Sequence, residues 1–478
     1  MFRSEVLFSL TKRFFVFPLV LILLLGSCSK DSVEPEKSGD FELAGLTITK
    51  SANPDFTEDA YVYRHRQEYY VTVPEGADLS NVEITFKVDK NAQITVNDRL
   101  INGHTGRFDL RETLIVDVTA ENGAAKRFDV LAQTGLRQLD RLIYEFKTKY
   151  NIPGVSYAIS STEQSTILYS KAVGYSIREE KFRTLPSHLF RLASMSKQMT
   201  AISVMKLLDE GKLSLDDTVF GEQGILGKIY GIPTPMAASV TVRHLLDHTS
   251  GWVSNPDPMF TSSFRGMSLD QLISYVLTSP QNLPGRTYSY FNMGYGILGK
   301  IIEKITGKNY EDYMKEVLSE AGITDIHVGG NKSQRRSNEV VYYSQGGSDG
   351  YQNDMQVIAA AGGVIASTEQ LLHLLPYIDG RDNIPDILSK DTRQLMFTQS
   401  SVSGSTFYAL GWRGGHRLFP ESFFHGGNLA GTAVMWVVGP KYNVIMLANS
   451  RSYESGFDDA IYYLLENLIN QANVTNWD

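Results

Sequence analysis

The hydrophobic pattern of this chain changes period near Gly135, and that change decides what the chain can fold into. From Phe41 to Gly135 apolar residues come in short β-rich runs broken by turn residues. Tyr61–Tyr63, Tyr69–Val73, Val82–Val88, Ile94–Val96, Leu114–Thr119 and Phe128–Leu131 are strand candidates. Asn122-Gly123 supplies a hairpin turn before the last of them. From Leu136 the period becomes mixed. Leu139, Leu142, Ile143 and Phe146 recur at helical spacing, and Gly154–Ile159 and Ile167–Gly174 read as a strand pair. Helices dominate from Ser194 to Thr306. Strands return at Phe407–Trp412, Thr432–Val438 and Val444–Ala448, before a last helix over Phe457–Asn470.

A chain of 478 residues exceeds one ordinary core, so several domains are expected. The segment 41–135 fits a small all-β, immunoglobulin-like sandwich. It carries no catalytic cluster, so its expected role is spacer, with glycan or partner binding as the alternative. Segment 136–478 takes strands from both of its ends with helical material between. That order implies an α/β domain, an antiparallel sheet flanked by helices with an all-α insertion.

Residues 1–27 read as an export signal. Lys12-Arg13 precede an apolar run, Phe14–Leu25, that is shorter than the ~20 residues a membrane-spanning helix needs. Leu25-Gly26-Ser27-Cys28 follows and resembles a bacterial lipoprotein box, whose cysteine carries the lipid. Cys28 is the single cysteine, so no disulfide forms within the chain. Residues 28–40 are polar and read as a flexible tether. The resemblance implies a lipid-anchored protein of the bacterial cell envelope, in the outer membrane or periplasm. Net charge is −8, and the absence of a basic run argues against nucleic-acid binding.

Candidate chemistry starts at Ser194, three residues before Lys197. At a helix start, hydroxyl and amine share a face one turn apart, and an amine that gives up its proton can activate the hydroxyl. The tetrapeptide alone is weak, because Ser9–Lys12 and Ser27–Lys30 repeat it in or beside the export signal. Tyr290-Phe291-Asn292 adds a phenol able to shuttle a proton and an amide able to orient the lysine. His425-Gly426-Gly427 adds a strand edge whose glycines admit a close approach and whose backbone N–H groups can stabilise an oxyanion.

Ser194-Met195-Ser196-Lys197, Tyr290-Phe291-Asn292 and His425-Gly426-Gly427, in that order, resemble the three motifs of the β-lactamase and penicillin-binding-protein superfamily of serine hydrolases, class C type. His244-Leu245-Leu246-Asp247-His248-Thr249-Ser250-Gly251 and Ala361–Thr368 are similar to two further segments of that family. The resemblance covers about residues 136–478. It implies Ser194 as nucleophile, Lys197 and Tyr290 sharing the base role, and Asn292 positioning substrate. His425, Gly426, Gly427 and Asn428 would line the substrate side, with an oxyanion hole from the N–H groups of Ser194 and Asn428. No metal or organic cofactor is implied, and the partner is a small-molecule or peptide acyl donor.

Three other constellations compete. Gly346-Gly347-Ser348-Asp349-Gly350 matches a nucleophile elbow, with Asp379 or Asp382 and His425 as partners. His244 and His248 sit at i and i+4, a conceivable metal pair. Tyr351-Gln352-Asn353 is a second Tyr-x-Asn. The family pattern also has a gap. His425 and Gly426 stand where classical members place a cation and a hydroxyl, so carboxylate capture falls to another residue, Arg413 or Arg417. This favours an esterase or a D-amino-acid amidase or peptidase over β-lactam hydrolysis. The alternative from another class is a non-catalytic surface module that binds glycan or protein on a hydrolase-like scaffold.

Overall fold

The computed structural model of the protein describes residues 39, 41–253, 257–279, 281–400, 402 and 407–477. The export signal, Cys28 and almost all of the tether lie outside the described residues. No helix among the described residues is long and apolar enough to cross a membrane.

The first segment folds as two sheets around one core. Strands Gly45–Thr47, Val82–Lys87 and Thr105–Phe108 form an antiparallel three-stranded sheet. Six strands form the other, in the order Tyr61–His65, Glu68–Val73, Ala125–Thr134, Leu114–Thr119, Gln93–Val96 and Arg99–Leu100. Alternate residues face inward, as period two requires: Ile84 and Phe86 from one sheet meet Val71, Ile94, Val116 and Val118 from the other. Glu68–Val73 pairs parallel with Ala125–Thr134.

After Thr134 the chain turns into α1 (Arg137–Lys149). The second segment is built on an eight-stranded antiparallel sheet. Its strands are β1 (Gly154–Ser161), β2 (Thr166–Ile177), β3 (Phe182–Arg183), β4 (Phe407–Tyr408), β5 (Arg413–His416), β6 (Phe419–Leu429), β7 (Thr432–Val438) and β8 (Tyr442–Ala448). The spatial order is β3-β2-β1-β8-β7-β6-β5-β4, so strands from both ends of the segment share one sheet, as the pattern implies, and meet where β1 pairs with β8. Both faces are buried. On β7 and β8, Ala433, Met435, Val437, Val444 and Met446 face α1 and α4 (Phe457–Val474). Val434, Trp436, Ile445 and Leu447 face the helical layer that contains α2 (Ser196–Asp209) and α3 (Asn292–Thr306).

One strand expectation is corrected. Phe407–Trp412 is not continuous. It stops at Tyr408, turns through Gly411 at φ +91°, and resumes at Arg413 as β5. The turn is pressed onto α2: a Cβ on Gly411 would lie 2.6 Å from Ala201 Cβ.

The two segments are joined by more than a linker. Tyr70 and Leu131 of the first pack into the α1 layer of the second. Buried Asp140 on α1 accepts hydrogen bonds from Thr72 (2.8 Å) and Gln133 (3.0 Å) of the first segment, and from Tyr169 (2.6 Å) and Tyr157 of the second. Burial still pushes its carboxyl pKa up against those donors.

Candidate functional site

Ser194 lies not inside a helix but in a tight 3₁₀ turn, Ala193–Met195, that runs straight into α2. Lys197 therefore falls in the first turn of α2, where four backbone N–H groups lack helical acceptors and the dipole is positive. Ala193 holds φ +46°, a strained value for a residue with a Cβ. The turn is pinned on both sides. Leu192 N–H donates to Val364 O at 2.8 Å, and Val364 N–H donates to Ser196 Oγ at 3.0 Å.

Lys197 is fully buried. Its amine donates to Asn292 Oδ1 and to Ala361 O, each at 2.7 Å, and sits 4.9 Å from the centre of the Tyr290 ring. Burial drives its pKa well down, the Arg413 charge adds to that, and Asp257 opposes it. A neutral amine has two N–H donors and one lone pair. Two carbonyl oxygens take the two donors, which leaves the lone pair as a base. The Ala361 carbonyl is freed for this by a π-helical turn, Ala359–Gly363, a distortion common at functional sites.

Tyr290 reaches the same point from the segment before α3. Its ring is half-buried, while its hydroxyl is shut away with no formed hydrogen bond. Burial raises its pKa, and the nearby Ser194 hydroxyl pulls it back down. Serine, lysine and phenol thus converge. Asn292 opens α3, with Oδ1 towards Lys197 and Nδ2 donating to Asp257 Oδ2 at 2.7 Å.

The third element is an edge. β5 pairs with β6 only as far as Phe424, so His425–Asn428 pair with β7 on one side and, among the described residues, carry no strand on the other. That side meets the Ser194 turn. His425 is buried and neutral: burial first, and then the Arg413 charge, hold its pKa well below the usual value. Its Nδ1 lies 2.7 Å from Gly426 O, which only accepts, so Nδ1 carries the proton. Nε2 then accepts from the Tyr408 hydroxyl at 3.0 Å.

Arg413 on β5 lies 5.2 Å from the Tyr290 ring centre and 5.9 Å from that of Tyr408. No carboxylate among the described residues is within ion-pair distance of it. The surrounding tyrosines raise its pKa against the burial that opposes its charge. Arg417 stands away from the cluster, exposed and donating to Tyr463 at 2.7 Å.

The competing constellations do not assemble. Ser348 hydrogen-bonds Ser344 at 2.9 Å, Asp379 is 3.8 Å from Arg381, and His425 is committed to Tyr408. His244 caps its own short helix, Nδ1 accepting from Thr241 N–H at 3.1 Å. His248 accepts from Phe291 N–H at 3.1 Å and packs its ring 4.4 Å from that of Tyr290. Among the described residues no cluster of histidine and carboxylate could hold a metal. Tyr351 packs edge-on against Tyr342, and the Arg191 guanidinium lies over its ring. Two members of the cluster carry no motif signal, Asp257 from a loop and Tyr408 from β4: packing brings them in, with no fixed spacing to Ser194.

An antiparallel sheet between two helical layers, with serine and lysine where a strained turn enters a buried helix, defines the scaffold shared by serine β-lactamases and penicillin-binding proteins. The Beta-lactamase family model matches residues 139–468, and the chain belongs to that family. It is similar to Protein flp of Staphylococcus aureus (strain MRSA252), 24% identical over 67% of this chain and 64% of that protein. Penicillin-binding protein 4* of Bacillus subtilis (strain 168) is 30% identical over 41% of this chain and 43% of that one. The octameric penicillin-binding protein homologue from Pyrococcus abyssi superposes with a TM-score of 0.59 at 27% identity, over 70% of this chain and 77% of that one. D-amino acid amidase from Ochrobactrum anthropi SV3 shares the fold, TM-score 0.56 at 21% identity, over 70% of this chain and 99% of that one. The chain thus spans 64% of the length of the curated flp relatives. Membership supports serine hydrolase activity in general.

Proposed function

We propose that the protein is a serine hydrolase that transfers an acyl group from an ester or amide to water through a Ser194 acyl-enzyme. The Ser194 hydroxyl gives its proton to the base formed by Lys197 and Tyr290 while its oxygen bonds the acyl carbon. The leaving alcohol or amine departs with that proton, and water then releases the acid by the reverse exchange. The N–H groups of Ser194 and Asn428 would hold the oxyanion. One observation carries this reading: a buried amine whose two N–H donors are spent on Asn292 and Ala361, beside a buried phenol that faces the Ser194 hydroxyl.

The third-motif positions favour esters and D-amino-acid amides or peptides over β-lactams. His425 is neutral and hydrogen-bonded away, and Gly426 has no hydroxyl. Arg413 is the cation available to a substrate carboxylate. We place the enzyme on a lipid carried by Cys28 in the cell envelope, with the immunoglobulin-like segment as spacer; the polar sequence between Cys28 and residue 41 supports that arrangement.

Purified protein labelled by a fluorophosphonate, with p-nitrophenyl acetate turnover that disappears in Ser194→Ala, is the expected result. Absence of any Ser194-dependent turnover across esters, D-alanyl peptides and nitrocefin would favour the non-catalytic surface module. Rapid Ser194-dependent nitrocefin turnover would overturn the substrate preference alone.

A further inference from the structure

Asp257 belongs to none of the motifs, yet it touches the residue that touches Lys197. Its Oδ2 accepts from Asn292 Nδ2 at 2.7 Å, and its Oδ1 accepts from Met259 N–H at 3.0 Å. No lysine, arginine or histidine among the described residues pairs with it. The carboxylate therefore spends itself on one amide and its own turn.

An amide has an oxygen end and a nitrogen end, and the two are close in shape. Offered to an amine, the oxygen end accepts an N–H, whereas the nitrogen end has only N–H donors, which repel the amine's own N–H groups or donate to its lone pair. Asp257 is acceptor-only when ionised, so it captures the nitrogen end and turns the oxygen to Lys197.

We propose that Asp257 is a positioning residue for the acyl transfer: through Asn292 it fixes the amide orientation that leaves the Lys197 lone pair free, and its charge acts on that amine across the amide. The proposal rests on the hydrolase reading above and deepens it.

The charges around Lys197 come from every side. Asp257 raises the affinity of the amine for its proton. Arg413 from β5 lowers it, and burial lowers it most. His248 and His425 are both held neutral, by burial first and by the Arg413 charge as well. Tyr290 and Tyr295 lie 4.9 and 5.5 Å from the amine by their ring centres, and burial keeps both phenols protonated. Among the described residues Asp257 is thus the anion that acts on an amine otherwise driven neutral.

Two substitutions separate orientation from charge. Asp257→Asn can still accept from Asn292 Nδ2 but carries no charge. Its acid limb in kcat/KM should move to lower pH by about half a unit or more, with the plateau little changed. Asp257→Ala lets the Asn292 amide turn, and kcat on p-nitrophenyl acetate should fall about tenfold to a hundredfold with KM nearly constant. Thermal melts confirm that both variants fold. A pH profile of Asp257→Asn superimposable on wild type, or wild-type kcat in Asp257→Ala, overturns the assignment while the hydrolase reading stands. Turnover that survives Ser194→Ala defeats the reading itself and the assignment with it.

Discussion

Gly427 and Leu192 stand so close that a Cβ on the glycine would lie 2.5 Å from the Leu192 carbonyl oxygen. The same Cβ would meet Val434 Cγ2 at 2.8 Å and Ala193 Cβ at 2.9 Å. Those neighbours are backbone, sheet interior and the strained residue before Ser194, and none can swing aside. The free edge of β6 therefore touches the Ser194 turn only because position 427 has no side chain. Gly427→Ala should push edge and turn apart, cutting kcat/KM about a hundredfold while costing about 1–3 kcal/mol of stability. Steady-state kinetics beside urea melts check both. A variant with unchanged kcat/KM would show that this edge takes no part in the reaction.

Tyr290→Phe removes the buried hydroxyl and leaves the ring on which Lys197, His248 and Arg413 pack. If the phenol relays the proton, kcat/KM on p-nitrophenyl acetate should drop about 10²- to 10⁴-fold with the melting temperature held or raised. That hydroxyl faces Ser194, and a purely structural role for it would leave kcat/KM nearly unchanged. A loss of less than about threefold would assign the base role to Lys197 alone.

How much of this was legible in the sequence differs between residues. Ser194, Lys197, Tyr290, Asn292 and His425 could be read because each sits in a local run whose order is informative. Most strands could be read because both sheet faces are buried, and β7 and β8 are then continuous apolar runs. Phe407–Trp412 misled for the same reason. Its apolar residues are buried by a turn against α2, and burial without period does not distinguish strand from turn. Gly45–Thr47 and Thr105–Phe108 were too short and too mixed to stand out. Asp257 and Tyr408 were beyond reach. Their roles come from long-range packing, and a lone Asp before Pro258 reads as an ordinary turn. The choice between Arg413 and Arg417 could not be made from the sequence either, because only strand direction and the edge at Phe424 put one beside Tyr290 and the other at the surface.

Asp140→Ala tests the seam between the segments. Deleting the carboxylate strands the buried hydroxyl donors of Tyr157 and Tyr169 and leaves Thr72 and Gln133 only the Tyr144 hydroxyl as partner. Each orphaned group costs about 1–3 kcal/mol, so the loss should reach about 3–5 kcal/mol after relaxation. Asp140→Asn, which keeps an acceptor, should cost less. Unfolding followed by tryptophan fluorescence gives the ranking; equal stability of wild type and Asp140→Ala would contradict it.

Lys147 gives a pH test with a definite sign. It is buried against Tyr70 and Glu68, and burial lowers its pKa from 10.5 to about 8. The unfolded chain then binds the extra proton between pH 8 and 10.5, so the stability carried by this group rises with pH across that window. Above pH 10 the buried tyrosines oppose the trend, because their raised pKa values favour ionisation in the unfolded chain. Urea unfolding at pH 8 and 9.5 should show wild type gaining more stability than Lys147→Met. Parallel gains would mean that the amine titrates alike in both states.

Arg413 is a half-buried cation whose neighbours are phenols rather than carboxylates. A guanidinium so placed is under-neutralised, and an anionic group on the substrate would complete it through paired N–H donors. Two acyl donors matched except for a carboxylate near the scissile bond isolate that contribution, since any damage to Tyr290 affects both alike. Arg413→Gln should lower kcat/KM for the carboxylate-bearing donor about tenfold more than for the neutral one. Raising ionic strength should erode the wild-type preference only weakly, because a partly buried pair is poorly screened. If both donors lose the same factor, Arg413 serves to support the Tyr290 ring and carries no substrate selectivity.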